Sequence, residues 1–248
     1  MNRPVLLVIA HGSRDPRHAA TVQALVRRAG ALRPGLRVET AFLDFNLPSV
    51  TGVLDRLAAD GVRDVVALPL LLTRAFHAKA DIPAVLRQAP RRLRIRQAEV
   101  LGPSPLLIAA VERRLYEAGL TPGDKSSTGV VLASAGSTDP EAIAVIAETA
   151  RELRRTGWCS VRPAFASASL PLTEDAVQAL RTDAGVRRVA VAPYVIAPGR
   201  LPDRIAAGAA AADVLADVLG PSPELAALLM ERYDGATARA TDRVAAVG

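Results

Sequence analysis

The chain of 248 residues carries one unit twice, and this duplication limits the folds that it can adopt. Four short patterns recur in the same order, each 118 to 124 residues further along. They are residues 12–16 (GSRDP) and 136–140 (GSTDP), 41–48 (AFLDFNLP) and 164–171 (AFASASLP), 65–69 (VVALP) and 189–193 (VAVAP), and 101–105 and 219–223 (LGPSP in both). Four collinear matches are hard to obtain by chance, so the sequence predicts a tandem repeat.

Within the first copy, short apolar runs alternate with amphipathic helical patterns. Residues 5–10, 36–43, 64–72 and 93–101 are the predicted strands, and the apolar runs at residues 5–10 and 64–72 are typical of buried ones. Each is followed by helix-starting residues, namely Asp15 and Pro16, Pro48, Asp81 and Pro83, and Pro105. Apolar strands joined by helices form parallel sheets that are covered on both faces. The sequence therefore predicts an α/β protein of two tandem, doubly wound parallel-sheet lobes related by internal duplication.

The repeat also sets the predicted domain boundaries. Residues 1–120 form a first lobe and residues 125–235 a second, joined by a turn-rich stretch at residues 119–127. The alanine-rich, polar end at residues 236–248 is expected to be a flexible tail. Sheets of this kind bind ligands at the carboxyl ends of their strands, so candidate functional residues are sought there.

Composition excludes several classes of protein. Hydrophobic residues make up 50% of the chain and charged residues 23%, which argues against disorder. Aromatic residues, at 3%, are too few for base-stacking modules, so we expect no nucleic-acid partner. No apolar run approaches the roughly 20 residues of a membrane span, and no secretory leader is recognisable, so we expect no membrane partner and a cytoplasmic location. A single cysteine, Cys159, excludes an internal disulfide and an all-cysteine metal site.

The net charge of +6 rests almost entirely on one residue type, because all but two of the 31 basic residues are arginine. Arginine side chains bind carboxylates and phosphates through two parallel hydrogen bonds. The excess is explained either by a solvated arginine-rich surface or by attraction for a polyanionic substrate. Composition alone does not decide between the two interpretations.

Two of the three histidines fall where a parallel sheet binds its ligands. His11 directly follows the first predicted strand and His77 follows the third, and these strands are commonly neighbours. Two neutral imidazoles that face one gap can bind a divalent metal, and Asp44 at the end of the second strand is a candidate third ligand. His18, on the first turn of a helix, is expected to be exposed and without a role. Each candidate also has a structural interpretation, as a hydrogen-bonding or capping residue.

The second copy keeps the scaffold and loses these candidates. Ala135 stands at the position of His11, Ser167 at that of Asp44, and nothing next to Arg200 replaces His77. Chemistry is therefore expected in residues 1–120, with the second lobe, residues 125–235, acting as a lid, a wall or a dimer-like partner. Because a duplication can replace a homodimer, we expect a monomer.

Four segments of the first half resemble the sirohydrochlorin chelatases, the class II enzymes that insert cobalt or iron into sirohydrochlorin. They are residues 10–15 (AHGSRD), 42–48 (FLDFNLP), 69–72 (PLLL) and 77–83 (HAKADIP). Residues 197–205 (APGRLPDRI) are similar to the second half of the long, two-domain members. The resemblance implies the chelatase-type fold and metal insertion into a tetrapyrrole, on the route to sirohaem with iron or to cobalamin with cobalt.

The resemblance also implies roles for individual residues. His11 and His77 are the catalytic pair that binds the metal and accepts protons, and Asp44 is a metal-binding acid. Family members more often have glutamate there, so Asp44, one methylene shorter, reaches the metal either directly or through water. The metal is a substrate, Fe²⁺ or Co²⁺ with Ni²⁺ also suited to these ligands, and no prosthetic group is expected. Sirohydrochlorin, the expected small-molecule partner, carries acetate and propionate groups, for which the candidate contacts by position are Ser13, Arg14, Arg74, Lys79 and Arg200.

Two other functions stay open on the sequence alone. A non-enzymatic tetrapyrrole or metal carrier would keep this fold, although a carrier needs no proton-accepting pair of histidines. A phosphate-ester enzyme with His11 as its nucleophile fits less well. Histidine phosphatases place arginine directly before that histidine, and this chain has Ala10.

Overall fold

The computed structural model describes residues 3–74 and 77–245, and at residues 77, 78 and 239–245 it describes the backbone alone. The strands are β1 (Val5–Ala10), β2 (Val38–Phe42), β3 (Asp64–Pro69), β4 (Arg94–Gln97), β5 (Thr128–Ser134), β6 (Ser160–Phe165), β7 (Arg188–Pro193) and β8 (Val214–Leu215). The helices are α1 (Pro16–Ala31), α2 (Val50–Ala59), α3 (Ile82–Leu86), α4 (Pro105–Glu117), α5 (Pro140–Arg155), α6 (Thr173–Arg181), α7 (Arg200–Gly208) and α8 (Pro223–Ala245). A π-helical turn (His77–Asp81) precedes α3, and a 3-10 helix (Pro122–Ser127) precedes β5.

The first sheet has the strand order β2-β1-β3-β4, and its strands are parallel. β1 lies between two neighbours because all six of its residues are apolar, and all six are buried. Its side chains alternate between the two faces, and Leu7 and Ile9 pack with Val53 and Leu57 of α2. The carboxyl ends of β1, β2 and β3 therefore meet at one edge of this sheet.

Side-chain caps precede the first two helices, and the sequence predicts the one ahead of α1, whereas α2 begins at Val50, two residues after the predicted Pro48. The Asp15 carboxylate accepts a hydrogen bond from the N–H of Arg17 (2.9 Å) ahead of α1, with Pro16 in the first helical position. Ser49 caps α2 in the same way. The segment after β3 differs from the prediction, because the chain is already helical from His77 and Asp81 makes no capping bond to α3. Residues 77–80 (HAKA) include good helix formers, which extend the helix before Asp81.

The second sheet repeats the first, with the strand order β6-β5-β7-β8 and parallel pairing throughout. Asp139 caps α5 as Asp15 caps α1, and Pro140 again occupies the first helical position. Two four-stranded parallel sheets with flanking helices confirm the predicted fold class.

The chain forms two compact units whose boundaries differ from the predicted lobes. Unit 1 contains the residues up to Gly102 together with those from Pro223 onward, and unit 2 contains Pro103 to Ser222. Helix α4, from the first copy, thus belongs to unit 2, where the Arg114 guanidinium donates to the carbonyl oxygen of Leu219 (2.9 Å). Helix α8, from the second copy, belongs to unit 1. Both helices follow the same LGPSP pattern, so the sequence offers no signal that each leaves its own copy.

Helix α8 packs against α1 and β3 of unit 1. The hydroxyl of Tyr233 donates to the carbonyl oxygen of Pro4 (2.8 Å), and the Arg232 guanidinium donates to that of Leu101 (2.7 Å). The segment predicted as a flexible tail, residues 236–248, continues α8 as far as Ala245, and residues 246–248 lie outside the described part of the chain. No helix among the described residues has both the length and the hydropathy that a bilayer crossing requires.

Candidate metal centre

His11 and Asp44 are held side by side by their backbones. The N–H of Leu43 donates to the carbonyl oxygen of Ala10, and the N–H of Asp44 donates to that of His11, each over 2.9 Å. The parallel ladder between β1 and β2 therefore extends beyond both strands. This extension places the two predicted ligands as neighbours at the carboxyl edge of the sheet, as the sequence predicts.

Gly12 allows the loop after β1 to close onto the loop after β2. Its φ angle is +97°, and a Cβ atom at this position would lie 1.9 Å from the carbonyl oxygen of Asp44. The N–H of Ser13 then donates to the Asn46 side-chain oxygen over 2.7 Å. Because glycine alone combines this φ with so close an approach, the loop that carries His11 is fixed against the loop that carries Asp44.

The His11 imidazole lies beside an aromatic ring. Its Nδ1 atom is buried, and its ring centroid is 6.3 Å from that of Phe45, with 25° between the ring planes. The Arg14 guanidinium carbon lies 5.2 Å from the Phe45 centroid, within the range of a cation–π contact. Phe45 itself is 52% exposed. Phe45 is not among the residues predicted from the sequence, although its replacement by Ala168 in the second copy is a signal that distinguishes the two copies.

The Asp44 carboxylate is exposed and makes one local bond. Its Oδ1 atom accepts a hydrogen bond from the N–H of Phe45 over 2.8 Å. No described residue forms an ion pair with it, so its charge is not neutralised by a neighbouring arginine within that part of the chain. A carboxylate in this state can bind a divalent cation or a water molecule on it.

The placement of His77 is known only for its backbone. Residue 77 begins the π-helical turn after β3, and β3 pairs with β1 as the sequence predicts. Its side chain lies outside the described residues, so the convergence of His11 and His77 stays a prediction. Among the side chains that are described, no three His, Cys, Asp or Glu groups form a cluster suited to a metal ion.

The second histidine of this segment, His18, is half-buried rather than exposed as predicted. Its Nδ1 atom is buried and forms no hydrogen bond with any described residue. Burial lowers the pKa of His18, the charge of His11 lowers it further, and Asp15 opposes both. His18 therefore lies in the electrostatic field of His11, a relation that its place on a helix did not reveal.

The lowered pKa of His18 gives the folded protein a pH dependence. Below about pH 6.5, His18 binds a proton more readily in the unfolded chain than in the folded protein. The free energy of unfolding should therefore decrease as the pH drops through this value. We expect the melting temperature of His18→Gln to decrease less than that of the parent when the pH is lowered from 7.5 to 5.5. Equal losses in thermal unfolding scans of the two proteins would contradict this assignment.

The predicted carboxylate-binding residues have different surroundings. Arg14 is exposed beside Phe45, Lys79 is exposed on the π-helical turn, and Arg200 is exposed at the start of α7 in unit 2. Arg74 is exposed but pairs with Glu99 (3.3 Å), which competes for its charge. The Ser13 hydroxyl accepts the N–H of Asp15 (3.1 Å) and so helps to shape the loop. Contact of these five residues with a substrate stays a prediction.

Unit 2 keeps the loop framework without the two predicted ligands. A Cβ at Gly136 (φ +99°) would lie 1.8 Å from the carbonyl oxygen of Ser167, and the N–H of Ser137 donates to Ser169 Oγ (3.3 Å). Ala135 replaces His11 in this framework. The framework is therefore a property of the fold, and the imidazole and carboxylate are additions specific to the first copy.

These repeated features coincide with the matches to known proteins. The family model CbiX matches residues 5–118 and again residues 129–236, which are the two copies found in the sequence. The chain belongs to the CbiX family. Within this CbiX chain, the framework of His11 and Asp44 lies in the first matched stretch.

Curated relatives of this CbiX chain include two named enzymes. The sirohydrochlorin cobaltochelatase of Priestia megaterium is 28% identical over 207 residues, 81% of this chain and 66% of that protein, slightly less than two thirds. The sirohydrochlorin ferrochelatase of Bacillus subtilis (strain 168) is 27% identical over 209 residues, 82% of this chain and 78% of that protein. Among solved structures, SirB from Bacillus subtilis with Fe³⁺ has a TM-score of 0.81 at 24% identity, over 97% of this chain and 98% of that one. That structural likeness shows the shared fold.

Proposed function

We propose that this protein is a sirohydrochlorin chelatase, a lyase that inserts Fe²⁺ or Co²⁺ into the tetrapyrrole and releases two protons. The observation that carries the proposal is the backbone pairing that puts His11 beside Asp44 in the first copy, on a framework that the second copy retains without them. The CbiX match over both copies and the names of the two relatives support the same reaction.

Metal insertion sets two chemical requirements. Two pyrrole N–H bonds break as the metal enters, so the site needs a proton acceptor near neutral pH, and the ion must keep open positions for the ring nitrogens. An imidazole meets both needs, because histidine changes charge near neutral pH and binds these ions as a neutral ligand. In this proposal His11 and His77 hold the ion and accept the protons, and Asp44 binds the ion directly or through water.

The substrate's charge fits the basic surface of the chain. Acetate and propionate groups surround sirohydrochlorin, and exposed guanidinium groups such as that of Arg14 bind carboxylates. We assign Ser13, Arg14, Arg74, Lys79 and Arg200 to this contact, the chemistry to residues 1–120, and a wall or lid role to the second copy. A monomer in the cytoplasm completes the proposal.

The direct test is metal insertion by the intact protein. Purified protein, sirohydrochlorin and either Fe²⁺ or Co²⁺ are mixed without oxygen, and the change in the pigment's visible absorption is followed against a protein-free control. We expect the protein to accelerate the change with at least one of the two ions. Tight binding of the pigment without acceleration would instead support the carrier function.

Asp44 allows the metal contact to be tested separately. Asp44→Asn keeps an oxygen that can accept a hydrogen bond from the Phe45 N–H but removes the negative charge. We expect Co²⁺ affinity to fall about tenfold, an effect of the size seen when a group that supports a metal ligand is removed. Asp44→Glu should retain affinity, because its longer carboxylate reaches further. The measurement is calorimetric titration with Co²⁺, and Asp55→Asn, the same charge change on the exposed side of α2, is the matched control. Equal affinities of Asp44→Asn and Asp55→Asn would remove Asp44 from the metal site.

A further inference from the structure

Phe45 has three unusual features, and the fold of the chain does not explain why one residue has all of them. Its ring is 52% exposed, its backbone has a φ of +60°, and it lies against both His11 and Arg14. A positive φ is uncommon for a bulky residue, and strained positions of this kind concentrate at functional sites. An exposed aromatic ring beside a metal-binding imidazole therefore calls for a functional explanation.

The second copy shows that the backbone conformation does not depend on the ring. Ala168, at the matching position, has a φ of +61° and carries no aromatic side chain. Both copies thus adopt the strained loop, and the ring is present only where His11 and Arg14 are also present. Phe45 therefore belongs with the residues that distinguish the first copy from the second.

The geometry points to Phe45 as a contact for the tetrapyrrole macrocycle, which deepens the proposed function and rests on it. A metal that is bound by an imidazole and enters a macrocycle has that macrocycle roughly perpendicular to the imidazole plane. The Phe45 ring lies within 25° of the His11 plane, so it too meets the macrocycle edge-on, an arrangement that aromatic pairs favour. Phe45 then sets the lateral position of the pigment relative to the ion.

The neighbouring arginine extends this contact to the pigment's charged rim. Phe45 is displaced from His11 by 6.3 Å between centroids, which directs it toward the periphery of the macrocycle rather than its centre. The carboxylate side chains begin at that periphery. The Arg14 guanidinium, 5.2 Å from the Phe45 centroid, is thereby held where it can pair with one of them. Phe45 and Arg14 act together in substrate binding.

The proposal is tested by separating pigment binding from metal binding. Metal-free sirohydrochlorin is titrated into the full-length protein and followed by its own fluorescence, and Co²⁺ is titrated calorimetrically without the pigment. We expect Phe45→Ala to weaken sirohydrochlorin binding and to raise its KM about tenfold, while Co²⁺ affinity changes less than about twofold. Phe45→Tyr, which keeps the ring, should bind the pigment nearly as the parent does.

Matched controls make the result specific. Leu32→Ala removes a side chain that is 55% exposed at the end of α1 in the same unit, and it should leave both affinities unchanged. Arg14→Gln should weaken pigment binding in the parent but much less in the Phe45→Ala background, because the two side chains act together. Ala168 shows that this loop accommodates alanine, so loss of folding is not the expected cause of any effect.

The outcomes distinguish this inference from the proposed function. Unchanged pigment affinity in Phe45→Ala, or a loss confined to Co²⁺ binding, would overturn the contact and leave Phe45 only a support for His11. A parent protein that binds sirohydrochlorin but does not insert metal would end the proposed function, while the binding comparison would still decide the role of Phe45. A parent protein that does not bind the pigment would end both.

Discussion

His11→Ala is expected to lower the rate of metal insertion into sirohydrochlorin by about a hundredfold or more, the usual effect of removing a group that accepts protons in catalysis. In the proposed mechanism the variant loses a metal ligand and a proton acceptor at once, so both kcat and Co²⁺ affinity should fall. The rate is measured from the pigment's absorption change under anaerobic conditions. His77→Ala should show a loss of similar size if the two imidazoles form one site.

The fold itself supplies the control for this experiment. Ala135 occupies the position of His11 in the second copy, directly after a buried strand, so alanine is compatible with this loop. His11→Ala should therefore keep its circular dichroism spectrum and melting temperature close to those of the parent. A well-folded His11→Ala protein that inserts metal at the parent's rate would refute the role of His11 and with it the catalytic centre proposed here.

Gly12→Ala is expected to destabilise the protein by about 3 kcal/mol or more, a large effect for one methyl group. The added Cβ would lie 1.9 Å from the Asp44 carbonyl oxygen, and the φ of +97° is unfavourable for alanine by itself. The atom in the way belongs to the backbone, so relief requires that the two loops move apart. We expect a lower free energy of unfolding in urea and a loss of metal insertion in the molecules that remain folded.

Alanine variants of two other glycines distinguish the two causes of this destabilisation, the unfavourable φ and the clash with the backbone. Gly35 has a φ of +83°, but an added methyl group there would meet no atom within 4 Å, so Gly35→Ala should cost only the conformational penalty, about 1 kcal/mol. Gly136→Ala repeats the backbone clash in unit 2, where the ligands are absent, and should lose about as much stability as Gly12→Ala. Its folded fraction should insert metal much faster than that of Gly12→Ala. Similar stability losses in all three variants would show that the clash is relieved without cost.

Features set by local sequence could be predicted well. The six buried apolar residues of β1, and the Asp15 and Pro16 start of α1, have strong local signals, and the structure confirms both. The ends of β4 were less accurate: the strand covers Arg94–Gln97 within the predicted run at residues 93–101, because none of its four residues is buried. At this edge strand, whose residues are all exposed or half-buried, no change in burial marks where strand pairing stops.

Features that depend on distant parts of the chain could not be predicted. His18 is half-buried, and this burial, together with the charge of His11, lowers its pKa in a way that its place on a helix does not predict. The contact of Phe45 with His11 and Arg14 depends on the strained loop after β2, whose φ angle has no residue-type signal in a phenylalanine. The placement of α4 in unit 2 and of α8 in unit 1 has no local signal, since both helices follow the same LGPSP pattern.

The assignment of α8 to unit 1 has a consequence for how the chain is made. Unit 2 is one uninterrupted stretch, whereas unit 1 is assembled from two stretches that precede and follow unit 2 in the sequence. On the ribosome, the sheet that carries His11 has part of α1 and β3 uncovered until α8 has been synthesised. Unit 1 therefore begins to emerge from the ribosome before unit 2 and completes its fold after unit 2 has been synthesised.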